Sequence, residues 1–432
     1  MGELSPIGDA SGRVRRQAKR PGDDTRHRER QSRAAHPRGM AQQAGFRLAP
    51  SARLVGLKVT IVVGFCLGLV LSAHLWIGPR SYPSVPIIGA LPALDGIAAQ
   101  ILFAALMVLA VAILAAPRPR LFIAAFAAVV AVFCAFDQTR WQPWVFQYEF
   151  LLVALAAFSW DRDDVAGRDR TLNIARLVIA CTYVFSGLQK LNANFIDTEF
   201  PWIVEPLTRS IPWLGEPLHL FGIAVPFVQV AFGIGLITRR FRRVSLIVAV
   251  AMHVFILAMF GPAGHNWNEA VWPWTAAMAA FDILLFAGTD DVAPRDILWT
   301  RGSPCHAAAL ALFAAAPLLS FVNAWDSYLS AALYSGNVTE AQIYTTDAAK
   351  AALPATIARY LVHTSPDTNV INLQRWAFED LRVAPYPEAR VFKSIAHSVC
   401  DQLPDRTRLV LIVKEQRMFF SRPETGYRCR DM

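Results

Sequence analysis

Long apolar stretches recur along this chain and alternate with short polar loops. The stretches run to roughly 18 to 23 residues, the length a helix needs to cross about 30 Å of hydrocarbon. We predict nine membrane spans, at approximately 54–77, 95–116, 121–136, 143–160, 173–189, 219–237, 243–260, 269–287 and 304–321. Because the stretches recur as far as Phe321, a cleaved secretory signal followed by a soluble body is excluded. The pattern predicts a mainly α, polytopic helical bundle.

The loops differ in their content of arginine. If the N-terminus is cytoplasmic, the cytoplasmic loops include 117–120, 161–170 and 238–243, and each of them carries arginine. The opposite loops hold few basic residues for their length. The positive-inside rule therefore predicts a protein of the inner cell membrane with a cytoplasmic N-terminus, and nine spans place the C-terminus outside.

The composition changes after Phe321. Residues 322–432 hold 13 Lys and Arg against 12 Asp and Glu, with short apolar segments and several prolines. Helical patterns run from Ala349 to His363 and from Asn372 to Leu381, and the stretch Arg408 to Phe420 is rich in the β-branched and aromatic residues of strands. We predict three parts, which are a basic tail (1–52), a transmembrane domain (53–321) and a small α+β extracytoplasmic domain (322–432).

Composition supports the membrane assignment, since 54% of residues are hydrophobic and only 17% are charged. Residues 1–39 carry ten Lys and Arg against five Asp and Glu, so +5 of the net charge of +9 lies in the tail. Such a segment cannot bury enough apolar surface to fold alone and is predicted to be disordered. It is either a solvated tail or an arm that touches anionic lipid headgroups. Neither reading calls for nucleic acid as a partner.

Two of the six cysteines stand apart from the predicted spans. Cys66, Cys134 and Cys181 lie within spans and Cys305 starts one, which is typical of small packing residues. Cys400 and Cys429 are the only pair in the C-terminal domain, and the predicted topology places them in an oxidising compartment. We therefore predict a disulfide between them.

Polar residues gather at the outer ends of the spans. A polar side chain in or beside a membrane span is energetically costly unless it serves a cavity. Lys190 follows span five and His253 lies in the middle of span seven, and we predict these two as catalytic residues. Further candidates for the wall of a substrate pocket come from the neighbouring outer segments; they are Asp137, Arg140, Gln142, Asn192, His265, Asn266 and Asn268.

Each candidate also has a structural reading. Lys190 can extend its ammonium to the membrane interface, His253 can bond to a backbone carbonyl within the core, and Asp137 with Arg140 can form a local ion pair. No spacing typical of a metal site occurs, so no metal is predicted. Phosphate-binding glycine loops are absent from the sequence as well.

Two motifs resemble a known family. The segments YVFSGLQKLNANF (183–195) and HVFILAMFGPAGHNWNEAVWPW (253–274) resemble the vitamin K-dependent gamma-carboxylase-like, or HTTM, superfamily of membrane proteins. The pattern is also similar to the DoxX and MauE group of small redox-associated membrane proteins. Gln229 stands where DoxX-type relatives tend to carry an acidic residue. The C-terminal domain does not match the propeptide-binding part of a true carboxylase.

The resemblance implies that Lys190 is the base that deprotonates a reduced naphthoquinone at the outer face, with His253 as a neighbouring pocket residue. Our leading hypothesis is an integral membrane enzyme of carboxylase-like fold that acts on a lipid-soluble, quinol-type substrate. A quinone or quinol is then the candidate cofactor, and membrane lipids are partners. The alternative is a non-catalytic, DoxX-like membrane subunit or scaffold whose outer domain binds a periplasmic protein.

Overall fold

A computed structural model describes residues 48–404, 408–415 and 423–432. The predicted tail therefore lies almost entirely outside the described residues, as do positions 416–420 of the predicted last strand. The described part is mainly helical, with one small antiparallel sheet near the C-terminus. Its long helices are α1 (Pro50–Leu71), α2 (Gly96–Ala115), α3 (Arg120–Phe136), α4 (Pro143–Ala156), α5 (Val165–Gln189), α6 (Phe200–Ser210), α7 (Gly215–Ile237), α8 (Arg242–Phe260), α9 (Val271–Phe286) and α10 (Pro304–Val322, with an internal π-turn).

Six helices within the described ranges are long and apolar enough to cross a membrane, namely α1, α2, α5, α7, α8 and α10. They are consistent with a multi-pass membrane protein. The other three predicted spans form the shorter apolar helices α3, α4 and α9. The 14 residues of α4 rise roughly 21 Å, less than the hydrocarbon thickness of about 30 Å. The structure therefore does not confirm nine complete spans.

Helix α5 lies at the centre of the bundle, where it packs against α7 and α9, while α8 packs against α7 and α9. Helix α5 is the least apolar of the six candidate spans and the most buried of them. Gly187 brings α5 close to α7, since a Cβ atom there would lie 2.8 Å from the carbonyl oxygen of Pro226. Small residues allow this kind of close approach between membrane helices.

Buried arginines satisfy carbonyl groups at helix ends. Arg53 donates to the carbonyl oxygens of Leu284 and Ala287 at the end of α9, each at 2.6 Å. Arg242 likewise donates to the carbonyl oxygen of Leu236 at the end of α7. The last carbonyls of a helix have no partner within the helix, so these arginines supply hydrogen-bond donors that the helices themselves lack.

The C-terminal segment (residues 323–432) combines a five-stranded antiparallel sheet with two longer helices. The strands are β1 (Glu340–Thr345), β2 (Leu361–Ser365), β3 (Thr368–Ile371), β4 (Leu409–Lys414) and β5 (Glu424–Arg428), in the order β2-β3-β1-β4-β5. The helices are α11 (Leu373–Leu381) and α12 (Ala389–Cys400), and α12 packs on β1 and β4. Buried side chains of the sheet and of α12 belong to the same apolar cluster as the bundle core.

Of two predictions for this segment, one is confirmed and the other is wrong. A disulfide joins Cys400 to Cys429, as predicted, with their Cα atoms 5.9 Å apart. The helix predicted from Ala349 to His363 instead breaks at Pro354, and its last residues belong to β2. Pairing with β3 gives the backbone of β2 its hydrogen bonds, which local helix propensity could not anticipate.

Polar contacts hold the C-terminal segment on one end of the bundle, which we call the capped end. Asp380 of α11 accepts hydrogen bonds from the backbone N–H groups of Ser81 and Tyr82, both at 2.6 Å. Asn337 donates to Gln189 Oε1, at the end of α5, at 2.6 Å. The segment thus closes the bundle at the end where Lys190 lies.

Candidate functional site

A cavity of about 480 Å³ lies within the bundle below the C-terminal segment. Helices α5, α7, α8 and α9 form its walls, α6 covers one side, and Ala331, Leu333 and Tyr334 close it at the capped end. Most lining side chains are apolar or aromatic. The polar exceptions are Thr182, Ser186, Lys190, Gln229, His253 and Thr275. A largely apolar cavity with a few polar groups is the usual form of a small-molecule site.

The cavity also reaches the side of the bundle. Phe221, Val228 and Ile247 line it, yet their exposed fractions are 51%, 40% and 69%. Phe221 and Val228 belong to α7 and Ile247 to α8, so the opening lies between two helices that could span a membrane. A lipid-soluble molecule could therefore enter from the hydrocarbon side.

Lys190 lies at the capped end of the cavity, immediately after α5. Its ammonium donates hydrogen bonds to the Ser186 carbonyl oxygen at 3.0 Å and to Ser186 Oγ at 2.7 Å. The nitrogen is 5.8 Å from the centre of the Phe195 ring. Lys190 therefore turns back towards the cavity wall along its own helix.

His253 lies deeper in the same cavity and belongs to a buried polar chain. Its Nε2 atom is 2.8 Å from the hydroxyl oxygen of Tyr183, and that hydroxyl donates to Asp282 Oδ2 at 2.7 Å. The three residues come from α8, α5 and α9, and each is at most 5% exposed. The two residues predicted as catalytic, Lys190 and His253, thus line one cavity.

The predicted pocket residues of the 137–142 segment have other partners. Asp137 accepts a hydrogen bond from Arg80 at 2.5 Å and another from the Val85 N–H. Arg140 donates to the carbonyl oxygens of Leu75 and Phe133, at the ends of neighbouring helices. Gln142 donates to the carbonyl oxygen of Ala384 in the C-terminal segment. These contacts hold a polar turn in place.

The remaining predicted pocket residues lie above or beside the cavity. Asn192 Nδ2 donates to the Ser335 carbonyl oxygen at 2.8 Å, and His265 stacks on Trp202 with ring centres 4.4 Å apart. Asn268 donates to the hydroxyl of Tyr334, which lines the cavity. Asn266 has a left-handed backbone with φ of 51°. Of the described residues that line the cavity, none belongs to the seven predicted pocket residues, Asp137, Arg140, Gln142, Asn192, His265, Asn266 and Asn268.

Asp282 is the residue of this site that sequence analysis missed. It is completely buried in α9, in the apolar run TAAMAAFDILLF. An acidic residue inside an apolar helix of a membrane bundle is by itself a signal of function. Tyr183 was part of a quoted motif but received no role, because its partners come from helices 70 and 99 residues away.

The chain matches no protein-family model, no curated protein and no solved structure. Within the described ranges, no group of three or more His, Cys, Asp or Glu side chains is arranged to hold a metal ion.

Proposed function

We propose that this protein is an integral membrane enzyme that binds a lipid-soluble, quinol-type molecule in the cavity and acts on it with Lys190 and His253. The observation that carries the proposal is the common cavity of these two residues, which is lined mostly by apolar and aromatic side chains and opens between α7 and α8. The capped end is the outer face in this proposal. The resemblance to the carboxylase-like family supports the assignment of Lys190 and His253 to this site.

The chemistry follows from the surroundings of Lys190. Burial among apolar groups favours the neutral form of a lysine, and a neutral amine can accept a proton. Ser186 fixes the position of the nitrogen through its carbonyl and hydroxyl oxygens. In the proposed reaction, the hydroxyl group of the substrate gives its proton to Lys190 and keeps the electron pair of the broken O–H bond.

The first experiment asks whether the cavity holds a lipid-soluble compound. Val248 lines the cavity, whereas Val244 lies one turn earlier on α8 and is 64% exposed. We expect mass spectrometry of purified protein to find such a compound enriched in the wild type and in Val244→Trp. It should be depleted in Val248→Trp, whose indole fills the cavity. Equal amounts in both variants would contradict the proposal.

The second experiment tests Lys190 as a base. An arginine keeps the positive charge but does not give up its proton, so Lys190→Arg should lose turnover of the identified compound as completely as Lys190→Ala. Lys58→Arg is the matched control, because Lys58 likewise donates to a backbone carbonyl oxygen of the bundle, that of Ile113. If Lys190→Arg folds and keeps full activity, the lysine only reaches the interface, and the scaffold function gains support.

A further inference from the structure

One polar side chain of the cavity wall has no partner within the protein. It is Gln229 of α7, which is only 6% exposed. Its side-chain amide makes no hydrogen bond to any of the described residues. The other polar residues of the wall all make side-chain hydrogen bonds, namely Thr182, Ser186, Lys190, His253 and Thr275. The polar groups of the aromatic lining residues Tyr183, Trp274 and Tyr334 are paired as well.

The amide of Gln229 also remains accessible. Among the described residues, the side-chain atoms that are both inaccessible and unpaired include Nδ1 of His253, but neither the nitrogen nor the oxygen of the Gln229 amide. The amide can therefore be reached from the cavity that Gln229 lines. An amide removed from water without a hydrogen bond costs free energy, so such a group inside a membrane bundle indicates a partner in a bound molecule.

Gln229 lies at about the same height in the bundle as the amine of Lys190. Helices α5 and α7 approach each other at Gly187, where a Cβ atom would lie 2.8 Å from the carbonyl oxygen of Pro226. Gln229 follows Pro226 within one helical turn. Ser186, which precedes Gly187, accepts both hydrogen bonds of the Lys190 ammonium. The amide and the amine thus border the same part of the cavity.

We infer that Gln229 is a ligand-binding residue, and that its amide forms a hydrogen bond with an oxygen atom of the molecule in the cavity. A primary amide both donates and accepts hydrogen bonds. It can donate to the carbonyl oxygen of an oxidised, quinone-type ligand and accept from the hydroxyl group of the reduced form. This inference rests on the proposed function, since it takes the cavity to be the binding site, and it gives both forms of the ligand the same contact.

Two matched probes test this contact, anthraquinone and anthracene, which share the same rings and differ in the two carbonyl oxygens. Equilibrium binding to the full chain in lipid nanodiscs, corrected with empty nanodiscs, gives the ratio of their affinities. Methionine has nearly the volume of glutamine but no amide. We therefore expect Gln229→Met to lower the anthraquinone-to-anthracene ratio about threefold to tenfold, the size of one net hydrogen bond.

Gln100→Met is the matched control, because it is the same exchange at an exposed position of α2, outside the cavity. It should leave the ratio unchanged. If Gln229→Met binds both probes with the wild-type ratio, the amide does not contact the ligand, and the inference is overturned while the proposed function stands. Failure of the wild type to bind either probe would overturn both.

Thermal unfolding without a ligand tests the same amide independently. Gln189 is also buried, but its amide is paired with Ser320 Oγ at 2.8 Å and with Asn337 at 2.6 Å. Because Gln229 has no such partners, Gln229→Met should unfold at the wild-type temperature or above it, whereas Gln189→Met should unfold at a lower temperature. A loss of stability in Gln229→Met as large as that in Gln189→Met, or a failure to fold, would assign the amide a structural role and overturn the inference.

Discussion

The contact made by Asp380 should be one of the main attachments between the C-terminal segment and the bundle. Its Oδ2 atom accepts from the N–H groups of Ser81 and Tyr82 at 2.6 Å and from Ser81 Oγ at 2.8 Å. Asp380 is only 7% exposed and Tyr82 only 1%. Replacing Asp380 with alanine would therefore leave two backbone N–H groups without their acceptor in a largely buried place.

The expected loss can be worked out from these contacts. A hydrogen bond to a charged group contributes about 1.5 to 3 kcal/mol, and neighbouring contributions are not additive. For three such bonds on one carboxylate oxygen, we expect Asp380→Ala to lower the free energy of opening by about 3 to 5 kcal/mol. The pair with Arg359, whose side chain is 53% exposed, adds little to this figure.

Hydrogen exchange read by mass spectrometry measures this opening directly. A loss of about 3 kcal/mol corresponds to exchange roughly a hundredfold faster, provided that the amides of Ser81 and Tyr82 exchange through that opening. Glu379→Ala is the control, because Glu379 is the preceding residue and pairs with Arg375 on the surface. If Asp380→Ala changes exchange no more than Glu379→Ala, the reasoning from buried hydrogen bonds is wrong.

Three further predictions concern the same segment. Burial, and to a smaller extent the charge of Asp326, raises the pKa of Glu388 from 4.5 to about 7. The folded state then binds the proton more tightly, so stability relative to Glu388→Gln should fall as the pH rises from about 4.5 to 7. Removal of the Cys400 to Cys429 disulfide, which closes a loop of 29 residues, should cost about 3 to 4 kcal/mol of stability. A reporter active only outside the cytoplasm should be active when fused after Asp326, as the arginine asymmetry of the loops predicts.

Each of these predictions has a clear check. Thermal unfolding across the pH range should show a constant difference for the surface variant Glu379→Gln but a changing one for Glu388→Gln. For the disulfide, the Cys400→Ser and Cys429→Ser variants should match the reduced wild type, and stability that does not respond to reductant would contradict the prediction. A reporter that is active only in the cytoplasm would reverse the topology.

The features that depend on composition along the chain were predictable. Hydrophobic length alone located α1, α2, α5, α7, α8 and α10, because a fixed hydrocarbon thickness requires a nearly fixed number of apolar residues. The disulfide was predictable because only two cysteines follow the last apolar stretch. Hydropathy could not distinguish a complete span from a shorter buried helix such as α4. Both are apolar, the span because it faces lipid and the buried helix because it faces the protein core.

The partners of the polar residues were not predictable. Asn192 bonds to Ser335 across 143 positions and Gln142 to Ala384 across 242. The sequence shows that each is polar and near a span end, but not that its hydrogen bonds are used by the C-terminal segment. A polar group whose bonds are all made within the protein has little left for a ligand. Proximity to the predicted outer face was therefore a weak criterion for the pocket wall.

Burial deep within the bundle is a better criterion for a ligand-binding residue than proximity to the membrane surface. At the interface, water and loop carbonyls can satisfy a polar side chain, so its presence there needs no ligand. Inside the bundle, a polar group needs a partner in the protein or in a bound molecule. His253, Tyr183 and Asp282 meet this condition only in part, because one nitrogen of His253 and one oxygen of Asp282 lack partners among the described residues. His253 also lines the cavity, so burial within the bundle and an incomplete set of protein partners coincide at this residue.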